Sequence, residues 1–265
     1  NADLSRRAIV RRIQGLSFRQ YLALQNKLSL PICSLDDILT RPNEIIHSLP
    51  SDFLPYVYFK KYLQQGYYPF FKEGEEWYLD RLHAVIRAVI EADMVSLFSI
   101  NTANIPKLLK LLYVIASSPP FKPNIQRLSE RTDISRNTIL QYLHYLAEAD
   151  ILSLLSFEGE GLSKLQKPEK IFLENPNLMF ALHPNTSSVG AIREAFLFNQ
   201  LKLSHRVSAA KIGDFLVDEQ YHFEVGGKSK GFKQLHGVKN GYVVTDNLDF
   251  ASNHKLPIWL FGLLY

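Results

Sequence analysis

The stretch Gly213–Gly231, GDFLVDEQYHFEVGGKSKG, decides how the C-terminal part of this sequence is read. It predicts two short strands around a tight turn, with Asp214 opening the first strand, Glu224 in the second, and lysines following at 228 and 230. Acids on adjacent strands with a lysine close behind suit metal-dependent phosphodiester chemistry. The carboxylates hold a hard cation through oxygen, and the lysine offsets charge on the attacked phosphate. The same residues also read more plainly. An acid near a strand start is a common turn residue, and Gly226-Gly227 with its lysines could be a solvated hairpin end.

The surrounding order favours the first reading. A helix over Gly190–Leu203 carries Glu194 and precedes the strand pair; a basic segment with Gln234 and a valine-rich strand, Tyr242–Thr245, follow it. This helix–strand–strand–helix–strand order, with these acids, resembles the PD-(D/E)xK restriction-endonuclease-like core. In that core one residue separates the second acid from the lysine. Here Gly226 stands at the lysine position, and the nearest lysine, Lys228, comes two residues later. The resemblance implies a catalytic set of Glu194, Asp214, Glu224, Lys228 and Gln234, with Mg²⁺ or Mn²⁺ held by Asp214 and Glu224. Glycine at 226 marks the site as degenerate, so cleavage is not expected of this chain unless Lys228 folds back. Gly226→Lys is the change expected to restore some activity.

With 265 residues, 46% of them hydrophobic, the chain can bury a core and form two or more small domains. A net charge of +4 permits nucleic-acid contact without demanding it. Cys33 is the single cysteine, which excludes a disulfide framework and a CxxC zinc site and suits a reducing cytoplasm. The C-terminal run IWLFGLLY is far too short to span a bilayer and no signal peptide is evident, so no membrane partner is expected. The sequence begins at Asn1 and already reads as the middle of a domain, which suggests a piece of a longer protein.

Residues 1–33 hold a basic run, SRRAIVRRIQ, and then a helix capped by Ser17 with Phe18, Tyr21, Leu22 and Leu24 on its buried side. Residues 34–104 read as helical with proline interruptions, the longest helix covering Glu75–Phe98 through Leu79, Leu82, Ile86 and Ile90. Residues 105–167 predict a winged helix-turn-helix: helices over Ile105–Ser117 and Asn124–Arg131, a turn at Thr132–Ile134, and a third helix from Ser135 to about Asp150. Two strands joined by a Gly- and Ser-containing loop follow as the wing. Ile139, Leu143 and Leu146 face its core. Arg136, Asn137 and Gln141 could enter a major groove, where Arg, Asn and Gln suit purine edges; alternatively the module only packs against its neighbours. Glu148 and Asp150 on the helix, and Glu158 and Glu160 in the wing, would face phosphates poorly.

The fold class is therefore α+β multidomain: a helical segment, a winged helix, and over 168–265 a restriction-endonuclease-like α/β domain. Taken in order, DLSRRAIVRRIQGLSFRQYL, YLQQGYYPFF, KPEKIFLENPNLMFAL, GAIREAFLFNQL, GDFLVD, FEVGGKSK and LPIWLFGLLY resemble the prokaryotic AAA-type ATPases that end in a nuclease-like domain of unknown function. That resemblance covers nearly the whole chain and places its start near the end of a P-loop ATPase module. It implies that Arg6 or Arg7 approaches a γ-phosphate. The sequence itself contains no GxxxxGK(S/T), so ATP would be bound by the longer protein and no cofactor is expected for this chain. DNA is the expected partner, through Lys228, Lys230, Lys233 and Lys239. Protein contacts or self-association are the alternative.

Overall fold

The computed structural model describes residues 13–117, 122–158, 167–183 and 188–265. Arg6, Arg7 and Glu160 lie outside the described residues. The chain is a mixed α+β protein with a helical region and a mixed five-stranded sheet.

The helical region starts with α1 (Phe18–Asn26), capped at Ser17 by a reciprocal pair: Ser17 accepts from the Gln20 amide and its own amide donates to the Gln20 side chain. Phe18, Tyr21 and Leu22 are buried, but Leu24 is exposed. The Phe18–Tyr21–Leu22 stripe continues at Gln25, which leaves Leu24 on the opposite side of the helix. Helices α2 (Leu35–Thr40), α3 (Pro42–His47) and α4 (Pro55–Gln65) follow. The helix expected over Glu75–Phe98 begins at Tyr78 and is not regular: α5 (Tyr78–Ala88) widens into a π-turn at Val89–Asp93 before α6 (Met94–Phe98). The cause is the spacing of its buried residues. Tyr78, Leu82, Ile86, Ile90 and Met94 recur every four positions, which drifts about 40° per step on a 3.6-residue helix, and the wider turn corrects the drift.

Next come α7 (Ile105–Ala116), α8 (Ile125–Thr132) and α9 (Arg136–Glu148). Asp133 closes α8 in the left-handed conformation, φ 55°, and Ser135 caps α9 by accepting from the Thr138 amide. Ile139, Tyr142, Leu143 and Leu146 form the buried side of α9. Strands β1 (Leu152–Leu155) and β2 (Lys170–Leu173) then pair antiparallel, Leu152 opposite Leu173 and Leu155 opposite Lys170.

After α10 (Pro176–Leu182), helix α11 (Val189–Leu201) is the centre of the molecule. Every residue from Ala195 to Leu201 is buried, because the helix packs against β2, the strand at Tyr221–Gly226 and the 3₁₀ turn at Ile258–Leu263 together. The sheet has the order β3 (Val207–Ala209), β4 (Phe215–Val217), β5 (Tyr221–Gly226), β6 (Gly241–Thr245), β7 (Lys255–Pro257). Its first three strands are antiparallel, while β5–β6 and β6–β7 are parallel. The helix expected between the second and third core strands is a single 3₁₀ turn, Phe232–Leu235. The run Ile258–Leu263 is also 3₁₀, and all six residues are buried. Its Gly262 lets α1 approach, since a Cβ there would lie 2.4 Å from Phe18 Cβ.

Asn177, buried at the start of α10, ties the helical region to this layer. Its amide donates to the carbonyls of Tyr62 (3.1 Å) and Leu63 (2.8 Å), and its oxygen accepts from the Tyr67 amide (2.8 Å) and the Tyr78 hydroxyl (2.5 Å). The Tyr62 carbonyl already accepts from the Gly66 amide, but the Leu63 carbonyl, left open at the end of α4, is satisfied by this residue more than a hundred positions away. Among the described residues no helix is long and apolar enough to cross a membrane.

Candidate functional site

The three acids singled out in the sequence converge where α11 crosses the start of β4 and the end of β5. Asp214 is held by β5 itself: its amide donates to the Phe223 carbonyl (2.8 Å), and its Oδ2 accepts from the Val225 amide (2.9 Å). Gly213 precedes it at φ 89°, where a Cβ would meet the Phe223 carbonyl oxygen at 2.9 Å. Glu194 comes down from α11. Between the two stands a residue from outside the expected set, Lys170 at the start of β2. Its Nζ donates to Glu194 Oε2 (2.9 Å) and to Asp214 Oδ1 (2.8 Å). These three side chains are 11, 12 and 17% exposed.

Glu224 lies deeper, 2% exposed, in ion contact with Lys230 through Oε1, while its Oε2 is buried without a hydrogen-bond partner among the described residues. Lys230 also donates to Gln234 Oε1 (2.5 Å), so Gln234 steadies the lysine. Gly226 explains how Lys230 gets there. A Cβ at position 226 would fall 2.5 Å from both Cβ and Cγ of Lys230 and 2.8 Å from its Cδ. The lysine stem runs over the bare glycine to reach Glu224. The ammonium that meets Glu224 is therefore that of Lys230 and not of Lys228, whose described contact is a backbone carbonyl accepting from Lys255 Nζ (2.6 Å). A lysine side chain introduced by Gly226→Lys would have to displace the Lys230 stem, which fills the space over residue 226.

The electrostatics follow from burial. The Glu194 carboxyl is raised above the ordinary glutamate range, first by burial and then by the Asp214 charge, with Lys170 opposing. Glu224 is raised by burial, against the hydrogen bond from Lys230. For Lys170, burial is the largest influence and pulls its pKa down, but the carboxylates of Glu194 and Asp214 together outweigh it and the net shift is upward. Two ammonium groups thus compensate three carboxylates. A magnesium site needs near-octahedral oxygen ligation. Here Lys170 occupies Glu194 Oε2 and Asp214 Oδ1, the backbone takes Asp214 Oδ2, and Lys230 takes Glu224 Oε1. Among the described residues no cluster of three His, Cys, Asp or Glu has metal-holding geometry. As arranged, the donor set does not fit a divalent cation.

Arg136, Asn137 and Gln141 are all exposed on α9, with Gln141 donating to the Tyr145 hydroxyl (2.5 Å). Arg136 and Asn137 line a shallow depression with Asn124, Gln126 and Lys167. Lys233 is exposed on the 3₁₀ turn beyond Lys230. A second charged pair escaped the sequence reading: Arg193, beside Glu194, donates twice to Asp246 Oδ2 (2.8 and 2.5 Å). Neither Lys170 nor Asp246 carries a local signal, since their partners stand 44 and 53 positions away.

The chain belongs to the family described as a domain of unknown function, DUF8612, which matches residues 57–189. That span takes in Lys170 and stops at the first turn of α11, before Glu194, Asp214 and Glu224. The chain is also similar to an uncharacterized protein of Methanocaldococcus jannaschii, MJ1637. They are 24% identical over 179 residues, 66% of this chain and 38% of the archaeal protein. The chain thus spans well under half the length of that relative. No solved structure matches it.

Proposed function

We propose that this chain is the C-terminal part of a DNA-associated, AAA-type ATP-binding protein, in which a degenerate restriction-endonuclease-like domain grips a nucleic-acid backbone without cutting it. The observation that carries this reading is the placement of Lys170. Its ammonium takes the oxygens of Glu194 and Asp214 that a catalytic cation would need, while Lys230 stands in for the lysine absent at position 226. In this reading residues 105–167 act as a winged helix, with Arg136, Asn137 and Gln141 exposed on the first turns of α9 to face a groove. ATP binding would belong to the longer protein, since no phosphate-cradling loop is present in these 265 residues.

Fluorescence anisotropy with short labelled duplex and single-stranded DNA tests the reading. Lys230 is committed to Glu224, which leaves Lys228, Lys233 and Lys239 exposed for phosphate contact. Three such contacts give a log–log salt slope of about −2.7, or roughly a fortyfold loss of affinity between 50 and 200 mM salt. Absence of binding to either DNA at the lower salt would overturn the reading in favour of a protein-contact module. Cleavage with Mg²⁺ or Mn²⁺ that disappears in Asp214→Ala would overturn the degenerate assignment.

A further inference from the structure

The segment that crosses from β5 to β6 carries charge of one sign. Between Glu224 and Asp246 stand four lysines, at 228, 230, 233 and 239, and no acid, a surplus equal to the net charge of +4 of the whole chain. Lys230 is paired with Glu224. Lys228, Lys233 and Lys239 are exposed with no carboxylate partner among the described residues, and Lys255 brings a further ammonium by donating to the Lys228 carbonyl (2.6 Å). Parallel strands are usually joined through a crossover helix. Here the crossover holds one 3₁₀ turn, Phe232–Leu235, anchored by Leu235, which is buried against Gly213 and Gly241. Phe232, which opens the turn, is 37% exposed; among the described residues it belongs neither to the hydrophobic core nor to a pair of aromatic rings. Gly227, Ser229, Gly231, Lys233 and Gln234 border one shallow depression there. The Lys228 and Ser229 amides donate to no acceptor among the described residues.

We propose that this crossover is a contact surface for an unpaired DNA strand, with Phe232 stacking on a base and Lys228, Lys233 and Lys255 meeting the phosphates around it. The inference rests on the DNA reading above and narrows it to the single-stranded form. Ring and charge together select the partner. Each nucleotide offers one π-face and one phosphate, and an aromatic side chain set among ammonium groups answers both. An acidic peptide answers the lysines alone. In a duplex the base faces are already stacked on one another, so a ring on a surface turn reaches them only where the strand is unpaired. The approach to the ring is open, since a Cβ at Gly231 would meet no atom within 4 Å. The free amides of Lys228 and Ser229 add neutral donors for a phosphate oxygen close to the backbone.

Fluorescence anisotropy of the full chain with labelled oligo(dT), an abasic strand of the same length and a hairpin duplex tests it. A base stacked on an aromatic side chain changes affinity by roughly 5- to 100-fold. Oligo(dT) should therefore bind at least about fivefold more tightly than the abasic strand, which has the same phosphates and no bases, and more tightly than the duplex. Phe232→Ala should remove that advantage while leaving abasic-strand binding and the salt slope unchanged, which also shows that the variant is folded. Phe232→Tyr should retain it. Lys233→Ala should weaken both strands alike and lower the single-strand slope by about 0.7. Equal binding of oligo(dT) and the abasic strand, or an undiminished preference in Phe232→Ala, would overturn the proposal. Polyglutamate binding more tightly than oligo(dT) would overturn it in favour of an acidic-peptide surface. If the duplex binds and oligo(dT) shows no advantage over the abasic strand, the DNA reading stands and this inference falls; if neither strand nor duplex binds, both fall.

Discussion

Lys170→Met removes the ammonium between Glu194 and Asp214 while keeping most of the side-chain volume. Each of its two contacts, at 2.8 and 2.9 Å, is worth roughly 6 kcal/mol of gross Coulomb energy at an effective dielectric of 20. Most of that is offset by the cost of burying three charges. What remains when one partner is deleted is the penalty of two uncompensated carboxylates, about 3–5 kcal/mol. The residual exposure of 11–17% admits some water and argues for the lower figure, about 3 kcal/mol, or a midpoint roughly 6–12 °C lower in thermal unfolding. The loss should depend on pH in a defined direction. The Glu194 carboxyl is raised in the folded protein, so its contribution to stability is full at low pH and is lost as pH rises through the raised value. Lys170 opposes that rise, and deleting it moves the value further up and steepens the loss towards neutral pH. Urea unfolding of both proteins at pH 5 and pH 7.5 measures this. The variant should also gain stability from added Mg²⁺ that the wild type does not gain, because the oxygens are freed. A variant within about 1 kcal/mol of wild type at both pH values would refute the argument that Lys170 is the cation of this site.

Gly226→Ala drives a methyl into the Lys230 stem and should cost about 1–3 kcal/mol in denaturant unfolding; measured in a Lys230→Ala background, itself destabilised by the loss of the Glu224 partner, the same substitution should cost much less, and additive losses would show that the stem does not cross residue 226. Asn177→Ala leaves the Tyr67 amide, the Tyr78 hydroxyl and the Leu63 carbonyl without their buried partner, and a loss of about 3–5 kcal/mol in the same assay is expected, a loss under 1 kcal/mol being the contrary result. Lys233→Ala should weaken DNA binding and reduce the salt slope by about 1, which anisotropy at several salt concentrations reads directly.

What the sequence determined by itself is local. Ser17 and Ser135 cap their helices through an amide three residues on, and Asp133 closes α8 through its own left-handed backbone, so spacing alone located these ends. The strand pair around Asp214 and Glu224 was legible for the same reason, and so was the approach of Glu194 once the element order was read. The π-turn at Val89–Asp93 and the exposure of Leu24 were not: spacing explains each only once it is known which apolar residues the neighbouring elements bury, Tyr78 and Met94 but not Leu24. Tertiary structure alone decided the charge balance of the site. Lys170 reaches Glu194 and Asp214 across 24 and 44 positions, and Arg193 reaches Asp246 across 53. Gly226 marks the difference most clearly. In the sequence it is a missing lysine; in three dimensions it is the space through which Lys230 arrives. A side chain's reach through space leaves no trace in linear spacing, and only the folded backbone shows which stem can cross which strand.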